Sequence, residues 1–268
     1  MNARDYALEI LQARASGRSL SAISSRTELN IEQAYEIAKN IDEIRKELGE
    51  HAIGRRIGLS WRALHDCDAQ TSPHWNTLFD ATVRYLPSNF CLQSLNGAMR
   101  PKISAVVIFK LANTPDPEAS LEQLVDSIEW LAHGIEILVT PYPDGAFSDA
   151  DAIAALGLHG TLLIGQTLPF SQAARAQLGQ VLANASVSLS CDGSLIAAGY
   201  GSKVLDSPAH ALRYLHQQLK LQTQFPPLQA GEIISTGSWT SPMTVQAGQT
   251  WSSAFSGIDL AGISVSFF

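Results

Sequence analysis

The residues able to do chemistry are scattered along this chain. No two of its seven histidines are four residues apart, so no helical face carries a histidine pair for a metal. Cys67, Cys91 and Cys191 are odd in number, widely spaced and without a CxxC, which suits small buried hydrophobes in a reducing cytoplasm better than a disulfide or zinc framework. HExxH, GxSxG, GxxxxGK[ST] and a helix-opening GxGxxG are all missing. GYGSK at 199–203 could bring backbone amides near an anion, but after a hairpin strand it reads as a turn. What remains is isolated cations in an acidic chain, 18 lysines and arginines against 25 acidic residues. A guanidinium can hold a carboxylate bidentately and stabilise an adjacent enolate. Arg55 and Arg56 cannot both point inward if their segment is extended, because neighbouring side chains alternate.

The elements that must position these residues follow from hydrophobic pattern. Ala34, Ile37, Ile41, Ile44 and Leu48 recur at helical steps behind Asn30 and Gln33, a capping-box pair, and an earlier helix over 4–15 presents Tyr6, Ile10 and Leu11. From Ile103 the apolar runs become short and β-branched: ISAVVIFKL, IEILV, TLLIG and ASVSLSC predict strands. Asp192-Gly193 is a type I′ dipeptide and predicts an antiparallel hairpin around it. Ser207 and Pro208 open a helix that buries Leu212, Leu215 and Leu219, and Gly231 and Gly248 each mark a turn ahead of a strand. The expected division is a helical segment over 1–52 and a β-rich domain over 53–268.

Composition narrows the function. With 18 basic against 25 acidic residues the net charge is −7 and the pI about 5.4, a field that repels phosphate backbones, so nucleic acid is not an expected partner. No run of 18 apolar residues is present and the first thirty residues lack a leader pattern, so no membrane partner is expected and the location expected is cytoplasmic. Charged residues make up only 16%, which favours surface buried between subunits of a homo-oligomer.

IGRRIGLSWRAL at 53–64, LFDATV at 78–83, LDSPAHALRYL at 205–215 and LQAGEIISTGS at 228–238 fall in the order of one family. In these segments the chain resembles the 2-oxopent-4-enoate hydratases and 4-oxalocrotonate decarboxylases of the fumarylacetoacetate-hydrolase superfamily. The resemblance implies an α+β fold, a mixed β-sheet roll or barrel with an N-terminal helical region. It also implies a divalent cation, magnesium or manganese, on two glutamates of an ExE strand and a third glutamate one element later. Here the ExE strand corresponds to Ser104, Ala105 and Val106, while Glu136 matches the third ligand. Magnesium favours carboxylate oxygens, and a valine offers none, so no cofactor is expected and no metal-ligating set is assigned. The lysine common in the IGKKIG turn is Arg56, which keeps a fixed charge and cannot serve as a base. Hydratases of this family carry a polar Asp-Asn-x-Ser run where Ala155, Leu156, Gly157 and Leu158 stand.

The resemblance therefore implies a divergent, metal-independent lyase or isomerase of aromatic catabolism acting on a small enolisable 2-oxo acid or related anion. Arg56, Asp80 and Glu136 are its expected catalytic residues, with Glu136 either a general acid/base of raised pKa or a carboxylate paired with Arg56. Arg56, Lys102, Ser104 and His159 are expected to bind the substrate. Two alternatives stand beside it. One is a non-catalytic pseudoenzyme or partner of a related hydratase or decarboxylase subunit; the other is a metal-dependent hydratase whose ligands have moved.

Overall fold

A computed structural model describes residues 1–58, 73–143, 147–169 and 171–268; Arg62, Cys67 and the end of IGRRIGLSWRAL lie outside them. Two helices open the chain, α1 (Ala3–Ser16) and α2 (Ile31–Glu47). Both begin with reciprocal capping boxes, Asn2 with Asp5 and Asn30 with Gln33, which satisfy backbone donors that a helix start leaves open. α2 buries Ala34, Ile37, Ile41 and Ile44 as the periodicity predicts, but Leu48 falls just past the last turn and is 73% exposed.

The strands and helices that follow are β1 (Ala52–Gly58), β2 (His74–Phe79), β3 (Val83–Tyr85), β4 (Phe90–Gln93), β5 (Lys102–Leu111), α3 (Leu121–Asp126) and β6 (Ile128–Leu138). Next come α4 (Asp149–Ala154), β7 (His159–Pro169), α5 (Gln172–Arg175), α6 (Leu178–Asn184), β8 (Ser186–Cys191) and β9 (Ser194–Tyr200). α7 (Pro208–Leu221), β10 (Ile233–Ser238), β11 (Met243–Thr244), β12 (Thr250–Ser256) and β13 (Ser264–Phe267) complete the chain. Asp192 and Gly193 both adopt positive φ, 49° and 82°, and join β8 to β9 as the expected hairpin.

Among the described residues the strands form two sheets. The larger is mixed, in the order β2-β1-β10-β5-β6-β7-β3 with β11 also on β5, and the smaller runs β4-β13-β12-β8-β9. One face of the large sheet carries Leu78, Val106, Ile108, Ala132, Leu162, Ile164 and Ile233 in a single apolar cluster. Leu78 sits on the edge strand β2 and Ile164 five strands away on β7, so the sheet curls to bring them together. The opposite face joins the helices and the small sheet in a second core that runs from Ala7 to Phe267. No helix among the described residues is long and apolar enough to cross a membrane.

Candidate active site

The curled face changes character along its strands. Ile108 and Val106 on β5 give way to Ser104, and Ala132 and Gly134 on β6 give way to Glu136, which lies directly opposite Ser104. Arg56 of β1 shares this face, flanked in register by Asn76 of β2 and by Ser235 of β10, which itself pairs with Ile108. One end of the enclosed face is therefore polar although it is buried: Arg56 is 3% exposed and Glu136 0%.

Alternation separates the two arginines. Arg55 leaves by the other face, where Nη1 lies 3.0 Å from Glu232 Oε1 and the guanidinium stands over the Trp75 ring. Arg56 turns inward. Its Nε donates to Glu136 Oε1 at 2.7 Å and its Nη2 to Glu136 Oε2 at 3.2 Å, a bidentate pair, while Nη1 donates to the Gly157 carbonyl at 2.9 Å. Glu136 Oε1 also accepts from His159 Nδ1 at 2.9 Å, and His159 Nε2 lies 3.0 Å from Thr82 Oγ1. A carboxylate thus fixes the imidazole through Nδ1–H and leaves Nε2 facing a hydroxyl. Arg14 of α1 donates to the His159 carbonyl at 2.5 Å and ties the helical segment to the same strand end.

Glycines make room for this arrangement. Leu156, Gly157 and Leu158 all have φ near +60°, a left-handed turn that aims the Gly157 carbonyl at Arg56. A Cβ at Gly157 would stand 2.3 Å from Arg56 Nη1 and 2.6 Å from Asn76 Oδ1. A Cβ at Gly58 would meet His74 Nε2 at 2.4 Å and Arg56 Nη1 at 2.9 Å, so His74 packs beside the guanidinium.

Electrostatics follow from burial and pairing. Burial opposes charge on Glu136, but Arg56 and His159 outweigh it and hold the carboxyl down at about 2, which corrects the expectation of a raised pKa. Burial lowers His159, with the Glu136 hydrogen bond acting against it, so the imidazole is neutral near pH 7. Burial and then the Arg56 charge push His74 down to about 3. Among the described residues His74 Nδ1, Asn76 Oδ1 and Ser235 Oγ are buried without a hydrogen-bond partner, all on the polar end of the curled face.

The remaining expected residues are distributed unevenly. Ser104 is fully buried and its hydroxyl pairs with Ser238 at 2.9 Å. Lys102 is half-buried two residues from Ser104 on β5, in a pocket of about 80 Å³ with Arg100, Leu138, Phe147 and Leu158, and burial lowers its pKa. Asp80 lies apart from the cluster. It starts a single helical turn after β2, accepts from the His51 backbone at 3.1 Å and pairs with the His51 ring at 3.0 Å on the surface. Its depressed pKa comes first from that backbone bond. His74 and Thr82 were not singled out from the sequence; the alternation of His74, Asn76 and Leu78 ahead of Asp80 is the pattern that places polar groups on an inward face.

Comparison with known proteins follows this geometry. No family model matches the chain. The 2-hydroxyhexa-2,4-dienoate hydratase of Comamonas testosteroni is 25% identical over 256 residues, covering 95% of this chain and 94% of that one. A 2-keto-4-pentenoate hydratase of Paraburkholderia xenovorans is 24% identical over 256 residues, covering 95% and 91%. The structure of 4-oxalocrotonate decarboxylase from Pseudomonas putida G7, complexed with magnesium and adipate, superposes with a TM-score of 0.84 over 99% of this chain and 97% of that one, at 18% identity. The chain is a relative of these hydratases in sequence and shares its fold, that of the fumarylacetoacetate hydrolases, with the decarboxylase. A fumarylpyruvate hydrolase from Pseudomonas aeruginosa, in complex with Mn2+ and pyruvate, shares that fold at a TM-score of 0.53 over 80% of this chain and 88% of that one, at 15% identity.

Among the described residues, those at the corresponding place do not fit a divalent ion of the kind those two structures hold. On the ligand strand of the resemblance, Val106 belongs to the apolar cluster and the Ser104 hydroxyl is spent on Ser238. Both oxygens of Glu136 already face Arg56. Among the described residues no group of three or more histidine, cysteine, aspartate or glutamate side chains could hold a metal.

Proposed function

We propose that this member of the hydratase and decarboxylase group is a lyase or isomerase that acts on a small enolisable 2-oxo acid without a resident divalent ion. The observation that carries the reading is the bidentate seat of Arg56 on Glu136, at the position the resemblance gives to the third metal ligand. A permanent guanidinium there supplies positive charge in a water-poor site, where it acts most strongly on a developing enolate. Lys102 and Arg100 at the neighbouring pocket offer cations for the substrate carboxylate. His159 is the proton carrier of this reading. It is neutral near pH 7 and held by Glu136, so a proton arriving through Thr82 passes to Nε2 and the resulting imidazolium is stabilised by the carboxylate.

The substrates for which the relatives are named are the compounds to try. With 2-hydroxypent-2,4-dienoate or 2-hydroxyhexa-2,4-dienoate, loss of the conjugated chromophore should be catalysed at a rate that a chelator leaves unchanged. Turnover that chelation abolishes would overturn the metal-free reading.

A second reading, a non-catalytic pseudoenzyme or partner subunit, rests on one observation. The pocket beside the polar end, of about 80 Å³, is small beside ordinary ligand pockets of roughly 300–1,000 Å³. Absence of turnover with both compounds and with their saturated 2-oxo analogues, by a protein of intact fold, would favour it.

A further inference from the structure

Asn76 Oδ1, His74 Nδ1 and Ser235 Oγ are buried on the curled face without a partner among the described residues. Asn76 and Ser235 flank Arg56 in register on β2 and β10, and His74 stands two residues before Asn76, opposite Gly58. Buried polar groups are ordinarily bonded, so three that are not, grouped around one guanidinium, mark a place that receives a polar ligand. Their chemistry selects its class. Asn76 Nδ2 donates to the Ile153 carbonyl at 2.9 Å, which leaves Oδ1 as an acceptor only. Such an atom attracts an O–H and repels a carboxylate or enolate oxygen. His74, held at about 3 first by burial and then by the Arg56 charge, is uncharged near pH 7 and draws no anion either. Ser235 can donate or accept. All three can accept from a neutral hydroxyl, and the smallest ligand of that kind is water, the usual partner of buried polar groups that the protein leaves unmatched.

We propose that Asn76, with His74 and Ser235, binds ordered water beside Arg56 and supplies from it the water that the site adds to its substrate. The proposal rests on the reading of the site as one that acts on an enolisable 2-oxo acid, and narrows it to hydration. The turn that is polar in the hydratases of the resemblance is apolar here, and Asn76 reaches it from the opposite strand. Its Nδ2 bonds the carbonyl of Ile153 ahead of that turn, and its Oδ1 lies 2.6 Å from the place a Cβ on Gly157 would take. The keto form of 2-hydroxypent-2,4-dienoate that keeps a double bond between C3 and C4 is the species that accepts water. The water oxygen bonds to C4, the C3–C4 π pair moves to C2–C3, and the carbonyl pair moves onto the C2 oxygen as an enolate, a charge that Arg56 offsets. The proton that the water loses, carried meanwhile by His159, returns at C3 as the ketone re-forms. Water is the only reagent consumed.

Partition between two products tests this in a way that partial loss of fold does not imitate. The full chain is given 2-hydroxypent-2,4-dienoate, and proton NMR counts the 4-hydroxy-2-oxo acid against the unhydrated 2-oxo-3-enoic acid. The native protein should form chiefly the hydrated product. Asn76→Leu, of similar volume, should lower the ratio of hydrated to unhydrated product at least about tenfold, the effect of losing one well-placed hydrogen bond. Ser235→Ala should lower it in the same direction, while Ser235→Thr, which keeps the hydroxyl, should hold the native ratio; circular dichroism checks that each variant is folded. A crystal structure of the native protein should place an ordered water within hydrogen-bond reach of Asn76 Oδ1. Folded Asn76→Leu and Ser235→Ala variants that keep the native ratio overturn the inference, and so does an Asn76 Oδ1 that meets only protein atoms in the crystal. A native protein that forms only the unhydrated ketone also overturns it, yet leaves the lyase or isomerase reading standing. A native protein that leaves the dienol to its decay in buffer overturns that reading and the inference with it.

Discussion

Oε1 of Glu136 accepts from two cation-capable groups at once, Arg56 Nε at 2.7 Å and His159 Nδ1 at 2.9 Å. These three side chains are brought together from β1, β6 and β7, and the carboxylate is the only one of them that touches both others. Its charge is balanced internally, which lets a glutamate stand fully buried.

Breaking that balance should cost more than removing it. Arg56→Met leaves a carboxylate buried without its counter-charge and should lower stability by about 3–5 kcal/mol. Arg56→Met with Glu136→Leu removes both charges and should recover most of the loss. Urea unfolding of the two singles and the double, read as a mutant cycle, measures this; losses that simply add would mean the pair is not coupled.

The buried histidines set the acid response. His74 and His133 are held down at about 3 and about 4, each first by burial, and His159 is lowered too. In the unfolded chain they take up protons near pH 6.5, so below that pH the unfolded state binds more protons and stability falls as pH falls. Glu136 adds to the loss only between about 4.5 and about 2. Asp42, raised to about 6 chiefly by burial, acts in the opposite sense, because the native state takes its proton first. Stability should therefore decline steeply from pH 6.5 to 4, by about 1.4 kcal/mol per pH unit for each net proton. His74→Gln should flatten that slope by about one proton, and an unchanged slope would mean His74 is charged or exposed in the native state.

Gly157 is the one residue of its turn that no side chain can replace. Gly157→Ala meets both a positive φ and the Arg56 guanidinium at 2.3 Å, so it should destabilise by about 1–3 kcal/mol. If Arg56 retreats to make room, the pH at which Glu136 protonates should rise, visible as acid unfolding that begins at higher pH. Neutral behaviour of this variant would mean the carbonyl contact is dispensable.

Much of the fold was legible because its signals are local. The capping pair of α2, Pro208 at the start of α7 and the Asp192-Gly193 hairpin are each set by neighbours in sequence, and the structure places them as the pattern implies. The site is assembled from residues far apart in sequence, 101 positions in the bond from Arg56 to Gly157 and 134 in that between Ser104 and Ser238, and no periodicity reports such a bond. Resemblance brought Arg56, Glu136, Ser104 and His159 onto one end of a sheet. It could not exclude Asp80, because a carboxylate just after a strand serves a turn as readily as a site, and here His51 holds it at the surface. Thr82 was passed over because a lone hydroxyl carries no pattern until His159 stands beside it.

Restoring the ligands tests whether Arg56 stands in place of the ion. Ser104→Glu and Val106→Glu would set two carboxylates on the face that holds Glu136, but the Arg56 guanidinium keeps its bidentate seat there. The double variant should therefore bind manganese weakly, since the ion must displace a guanidinium to reach Glu136. Adding Arg56→Lys replaces a planar fork with a flexible ammonium that can swing away or lose its proton. The triple variant should bind at least about tenfold more tightly, a difference of about 1.4 kcal/mol. Because three crowded carboxyls hold protons in the absence of metal, binding should also release protons, which titration calorimetry in buffers of different ionisation enthalpy counts. Equal affinity in the double and triple variants would show that Arg56 does not occupy the cation's place. Folded variants that bind no manganese at all would mean that positions 104 and 106 do not project toward Glu136 as the strand register requires.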